Sequence, residues 1–167
     1  MSVTVGSTVM HPSHGAAVVA PPEQRDLGNG ELTTYVVLVT EQNGLTVKLP
    51  ESQLDEAGVR PCMSEERLAE IIAVLESKPT PQTGHWSRRL KANQSRMRSG
   101  EPTEVAMVVR DLTAKMARKG LSPAEQRLHR TARRLLHGEM AAIVSGGAEG
   151  ADELLDAALA EHLEADD

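Results

Sequence analysis

The spacing of apolar positions changes once along this chain, near residue 64. Before it, short β-branched runs alternate with turn signals. Val3, Val5 and Val9 lead into the turn-rich His11-Pro12-Ser13-His14-Gly15. Ala16-Ala17-Val18-Val19 then meets the paired Pro21-Pro22, which cannot continue a central strand. Leu27-Gly28-Asn29-Gly30-Glu31 is a second turn signal. Residues 33–39, Thr-Thr-Tyr-Val-Val-Leu-Val, have the strongest strand character in the sequence. Asn43-Gly44 marks a tight hairpin between that strand and Leu45-Thr46-Val47-Lys48-Leu49, closed by Pro50. Strands this short and this closely spaced predict a small antiparallel barrel or curled sheet.

From residue 64 the period is helical. Ser64 can cap a helix whose first turn carries Glu65 and Glu66, complementing the dipole. Leu68, Ile71, Ile72 and Leu75 give it one apolar stripe. Residues 78–84, Lys-Pro-Thr-Pro-Gln-Thr-Gly, break the pattern and predict a linker or sharp corner. Val105, Val108, Val109, Leu112 and Met116 repeat the stripe, and Gly120 stops that helix. Ser122-Pro123-Ala124-Glu125 predicts a capping box with proline at the first helical position. Leu128, Ala132, Leu135, Leu136 and Ile143 are the expected buried face of the helix it opens. Residues 145–150 predict a flexible break, followed by an amphipathic piece carrying Leu154, Leu155, Ala158, Leu159 and His162. The fold class expected is α+β. A β module over residues 1–60 precedes a helical module over 61–145, which could extend to 164. Residues 146–167 form an acidic tail or a terminal helix.

Composition sharpens this in two ways. Tyr35 and Trp86 are the only aromatic residues among 167, so any core is aliphatic. The lone Cys62 excludes a disulfide framework and every multi-thiolate metal site. No stretch approaches the ~20 apolar residues that span a bilayer, and no basic region precedes an apolar run at the N-terminus. A soluble, intracellular protein is expected. The net charge of −6 hides a strong asymmetry. Residues 1–77 carry −7, residues 78–137 carry +10, and residues 138–167 carry −9. One segment is therefore suited to a polyanion and the others are not.

Little supports catalysis. None of the six histidines is spaced with a carboxylate as in a metalloprotease helix. His11 and His14 could touch one metal, but a plain turn is the simpler reading without an acidic or thiolate partner. Cys62, between Pro61 and Met63, reads as a small packing residue rather than a nucleophile. The glycine pairs match no phosphate-cradling pattern. No enzyme, no metal and no cofactor is expected.

The basic segment carries the chemistry. His85-Trp86-Ser87-Arg88-Arg89-Leu90-Lys91 sets three cations beside the only Trp. Arg127, Arg130, Arg134 and His137 share one face of the capped helix, away from its apolar stripe, with Arg133 beside them. A solvated cationic surface balanced by the acidic C-terminal segment is the plain reading. A phosphate-tracking surface is the functional one, because a duplex offers regularly spaced anions and releases counterions on contact. Trp86 could plug a junction between helices, or stack on an unpaired base or wedge a base step.

Several segments together resemble the CarD/CdnL family of bacterial transcription regulators. The opening, residues 5–15, reads Val-Gly-Ser-Thr-Val-Met-His-Pro-Ser-His-Gly. Tyr35-Val36-Val37-Leu38, residues 45–50 and Gly58-Val59-Arg60 follow in order. Trp86-Ser87-Arg88-Arg89-Leu90-Lys91-Ala92-Asn93 looks like the family's tryptophan motif, and Arg110-Asp111-Leu112, Gly120-Leu121-Ser122 and Ala132-Arg133 match as well. The resemblance covers roughly residues 3–145. It implies a Tudor-like N-terminal domain that binds the RNA polymerase β subunit, as in the transcription-repair coupling factor. It also implies an all-helical domain that contacts promoter DNA at the upstream edge of the transcription bubble. Carried over by position, Trp86 is the minor-groove wedge, Arg88, Arg89 and Lys91 are phosphate contacts, and Arg25 and Lys48 meet the polymerase. The sequence departs from the family pattern at His11 and Leu90, where an aromatic residue is common. Lys48 replaces a frequent Arg, which weakens any bidentate contact, and Gln126 stands where a basic DNA-contacting residue is expected, with Arg127 immediately after it.

The resulting expectation is a monomeric, cytoplasmic, nucleoid-associated regulator that stabilises the open promoter complex. A weak DNA surface with about six phosphate contacts loses affinity steeply with salt, and tethering to polymerase compensates by effective concentration. The alternative is a diverged polymerase-tethered adaptor that does not contact DNA, whose basic helices bind an acidic protein or the chain's own tail and which keeps Trp86 in its core. If the acidic end screens the basic helices, removing residues 146–167 tightens DNA binding.

Overall fold

The computed structural model describes residues 1–81 and 83–164. Gln82, within the expected linker, and residues 165–167 at the acidic end lie outside the described residues. The chain divides after Cys62 into two units, each with its own hydrophobic core.

The first unit is an antiparallel sheet of β1 (Thr8–His11), β2 (Gly15–Asp26), β3 (Leu32–Thr40), β4 (Thr46–Pro50) and β5 (Arg60–Pro61). The strand order is β4-β3-β2-β1-β5. β4 and β5 are edges with no pairing between them, so the expected barrel is an open sheet. The local reasons are a two-residue β5 ending in a proline, which has no N–H to donate, and a 3-10 turn, Glu51–Gln53, that ends β4. Leu54, just after that turn, fills the apolar face with Val9, Ala17, Val19, Val36, Leu38 and Val59.

Pro21 and Pro22 do not end the second strand as expected. β2 continues through them to Asp26, with its register against β3 shifting between Ala20 and Glu23. The prolines sit at that bulge, beyond the residues of β2 that pair with β1, where a missing N–H breaks no ladder. The Asn43-Gly44 connection is also wider than a two-residue turn, spanning 41–45. There Asn43 Oδ1 accepts from the Leu45 N–H at 3.2 Å, and Gly44 takes φ 65°.

The second unit holds α1 (Glu65–Glu76), α2 (Trp86–Ser99), α3 (Pro102–Arg118), α4 (Pro123–Ala141) and α5 (Gly147–Leu163). Ser64 caps α1 by accepting from the Arg67 N–H at 3.2 Å. The Ser122/Glu125 capping box forms in full at the start of α4. α3 is the central helix and packs on the other four. Its stripe buries Val105, Val108, Val109 and Leu112, but Met116, in the last turn of α3, is exposed. Ile143 lies beyond the end of α4, and Met140 takes the buried place on that helix instead.

Residues 145–150 are largely helical rather than a flexible break, since α5 begins at Gly147. A Cβ on Gly150 would lie 2.3 Å from the Ser145 carbonyl oxygen, so only glycine allows this close turn into α5. α5 buries Ala151, Leu155, Ala158 and Leu159 in the helical core and leaves Leu154 at the surface. Its acidic residues lie along the other side. Removing residues 146–167 would therefore strip a wall from this core.

Candidate functional site

α2 has no continuous apolar stripe. Its fourteen residues include Arg88, Arg89, Lys91, Arg96 and Arg98 and no acid. Its start is set by Gly84, in a left-handed conformation, and by His85, whose Nδ1 accepts from the Ser87 N–H and lies 2.9 Å from Ser87 Oγ. Gly100 ends the helix at φ 70°. Asn93 is its buried residue, flanked by the partly buried Leu90 and Met97. Trp86, four residues ahead of Leu90, continues the same line past the packed portion and is 56% exposed. Its ring stands 5.9 Å from the His85 ring. Arg88 and Lys91 are exposed beside it, whereas Arg89 is half-buried and donates to the Gly84 carbonyl.

A buried ionic cluster holds α2 in place. Arg110 and Asp111 on α3 are both almost fully buried, and Arg110 Nε donates to Asp111 Oδ1 at 2.9 Å. The same guanidinium reaches Ser77 Oγ at 2.7 Å and Thr80 Oγ1 at 3.0 Å, tying in the segment after α1. Asp111 also accepts from the Thr80 N–H at 2.9 Å and pairs with Arg96 of α2 at 3.4 Å. α1, the 77–80 segment, α2 and α3 thus share one charge pair in low dielectric. There an unpaired charge is expensive and the geometry is correspondingly strict.

α4 presents Arg127, Arg130 and Arg134, all exposed as the helical spacing predicts. The face ends sooner than expected. His137 is turned to α5, 3.0 Å from the Ala148 carbonyl and 3.3 Å from Asp152, and Arg133 pairs with Asp156 at 2.7 Å. Arg88, Lys91, Arg127 and Arg130 have no acidic partner among the described residues. Gln126, where a base was expected, donates to the Leu121 carbonyl at 3.2 Å. The DNA-contact residues named from the sequence therefore lie on two helices, α2 and α4.

The sheet brings Arg25 and Lys48 together through a residue the sequence did not single out. Glu23 accepts from Lys48 Nζ at 2.8 and 2.9 Å and from Arg25 at 3.4 Å. The Lys48 hydrogen bond holds the exposed Glu23 carboxyl below its usual range. Arg25 also lies over the Tyr35 ring, 5.9 Å from its centroid. The β2–β3–β4 register makes this arrangement, since Glu23 faces Tyr35 and Lys48 faces Val37. Strand spacing could have signalled it once the bulge at Pro21-Pro22 was known.

The remaining candidates have ordinary structural settings. His11 Nδ1 accepts from the Ser13 and His14 N–H groups at 3.1 and 3.3 Å, closing the turn. Burial and then the adjacent His14 push the His11 pKa down. Cys62 is half-buried at the end of the first unit. Among the described residues no group of three or more His, Cys, Asp or Glu is arranged to hold a metal. No helix among them is long and apolar enough to cross a membrane.

These features agree with what sequence comparison finds. Residues 3–63 match the model of the CarD-like/TRCF RID domain, and residues 70–156 match that of the CarD C-terminal domain. The chain belongs to the CarD/CdnL family. It is also 27% identical over 139 residues to the "Putative transcription factor YdeB" of Bacillus subtilis (strain 168), covering 83% of this chain and 90% of that protein. Membership makes this chain a transcription regulator of the kind related to RNA polymerase interaction. The CarD match reaches residue 156, well into α5 and beyond the 145 at which the resemblance read from the sequence stopped. α5 thus falls partly inside the family's own domain.

Proposed function

We propose that this CarD-family chain docks on the RNA polymerase β subunit through its sheet unit and on promoter DNA through its basic helices, stabilising the open complex. Arg25 and Lys48 contribute to the polymerase contact. Arg88, Arg89, Lys91, Arg127, Arg130 and Arg134 track phosphates, and Trp86 wedges the minor groove at the upstream edge of the bubble. The protein acts as a cytoplasmic, nucleoid-associated monomer and needs no cofactor.

The observation that carries this reading is the setting of Trp86. A large apolar ring more than half in water is costly unless something covers it. It stands at the first turn of a helix whose nearest charges, Arg88 and Lys91, are unpaired cations among the described residues. Cations at a helix N-terminus oppose the dipole, and phosphate oxygens there relieve both. The adaptor alternative needed Trp86 in the core, and its exposure speaks against that version.

The mechanism follows from differential binding. A ring that inserts where base steps are distorted prefers the melted fork to closed duplex, and only such a preference shifts the equilibrium. The test is open-complex lifetime with cognate polymerase, comparing wild type, Trp86→Ala and no added protein. A lifetime extended by wild type and shortened about tenfold in Trp86→Ala is expected, from a stacking contribution of ~1–3 kcal/mol. An extension that survives Trp86→Ala undiminished would remove the wedge. No extension with bound wild type would return the adaptor reading.

A further inference from the structure

A second feature of the helical unit concentrates positive charge without serving the duplex contacts named above. A cavity of about 500 Å³ opens between residues 78–81, α2 and α3. Its walls carry Lys78, Arg89, Lys115, Arg118 and Lys119, and its single acid is Asp111. That acid is already committed to Arg110, Arg96 and Thr80. Lys115 is held by Glu125 at 2.6 Å. Lys78, Arg89 and Lys119 have no acidic partner among the described residues. The Arg89 guanidinium donates to the Gly84 carbonyl, yet its Nε is closed off from solvent with no hydrogen-bond partner.

Three cations without an acidic partner among the described residues, Lys78, Arg89 and Lys119, share one concavity, whose walls focus their field inward. The volume suits a small molecule rather than a side chain or a single water. Several cations on different elements match an anion with more than one charge centre. Pro79, Pro81 and Ala114 line the same cavity with apolar groups.

We propose that this cavity binds a small polyphosphate anion, two or more linked phosphoryl groups, with the apolar lining able to take the ring of a nucleoside. The phosphoryl oxygens accept from Lys78 and Lys119, and the anion's charge offsets that of Arg89. Of these residues only Arg89 also belongs to the proposed DNA contacts, so the site does not depend on that reading.

The experiment titrates sodium tripolyphosphate, and in parallel ATP, into the full chain by calorimetry at fixed ionic strength. The variants are Lys78→Ala/Lys119→Ala and, as a control on another helix, Arg127→Ala/Arg130→Ala. All four side chains are exposed and outside the core, and thermal unfolding without ligand checks that both variants fold. The expected result is saturable binding at one site, weakened about tenfold in the first variant and less than twofold in the second. Tripolyphosphate should also raise the melting temperature of wild type by mass action. Absence of saturable binding overturns the site. Equal weakening in the two variants also overturns it, because that pattern is diffuse attraction. Stoichiometric displacement of tripolyphosphate by duplex DNA overturns it as well, since the cavity would then belong to the DNA interface.

Discussion

His129 shows how one buried side chain sets a pH limit on the helical unit. Its Nε2 lies 2.9 Å from Thr113 Oγ1, on the central helix α3. Burial, and then the charge of Arg133, hold its pKa below the ordinary 6.5. The folded state thus favours the neutral ring, whereas the unfolded chain takes up the proton more readily. Stability from this group is complete above 6.5 and is lost as pH falls through the lower folded value. His11 shifts in the same direction in the sheet unit. Denaturant midpoints measured on either side of 6.5 should therefore fall with acidification, and His129→Gln should reduce the fall. An equal fall in the variant would assign the acid sensitivity elsewhere. The turn at His11 was readable from the chain, but the role of His129 was not. Its sequence neighbours suggest turn or surface, and only the tertiary packing of α4 on α3 takes His129 out of water.

Among the elements, those with a periodic apolar stripe or a cap were legible, and those fixed by polar burial were not. Ser64, the Ser122/Glu125 box and the Val105–Leu112 stripe announce α1, α4 and α3, because local geometry alone demands those residues. α2 lacks such a stripe. Its apolar side is Leu90, Asn93 and Met97, and a buried ion pair rather than a hydrophobic face orients it. The α3 period gives no warning of this, because Arg110 and Asp111 lie off the Val105–Leu112 stripe and only tertiary packing buries them. Asp111→Asn keeps an acceptor for the Thr80 N–H but leaves Arg110 without its counter-charge. The expected cost is about 3–5 kcal/mol, read as a lower urea midpoint. DNA affinity should fall further than in Arg88→Ala, because the placement of the whole helix is lost. A change under 1 kcal/mol would mean that α2 is held by its apolar contacts alone. Likewise, β2 was cut short at Pro21-Pro22 by a rule that holds for central strands, whereas the prolines lie at a bulge.

For the whole molecule, the uneven charge along the chain becomes a spatial arrangement within the helical unit. α5 places Asp152 and Asp156 against His137 and Arg133 of α4, next to the arginines proposed to meet DNA. The charge asymmetry was plain in the sequence. The amphipathic piece with Leu155, Ala158 and Leu159 was legible too, and only its start, hidden in the glycine-rich 145–150, was not. Truncation is consequently the wrong test of screening. Asp152→Asn/Asp156→Asn should leave stability within about 0.5 kcal/mol, since both carboxylates are exposed. It should tighten DNA binding by roughly two- to fivefold at low salt, and the gain should fade near 0.15 M, where the screening length is about 8 Å. A gain independent of salt would point to altered packing. The scarcity of aromatic residues has one more consequence. Tyr35 belongs to the sheet unit and Trp86 to the helical unit, with no other such ring in the chain. Each unit therefore carries a single fluorophore of a different kind. Excited at the red edge of its absorption, the indole alone reports the helical unit and the surface proposed to meet DNA, while shorter-wavelength emission from the phenol reports the sheet beside Arg25. Unfolding of the two halves and occupancy of the two proposed docking surfaces can be followed by emission from the unlabelled chain.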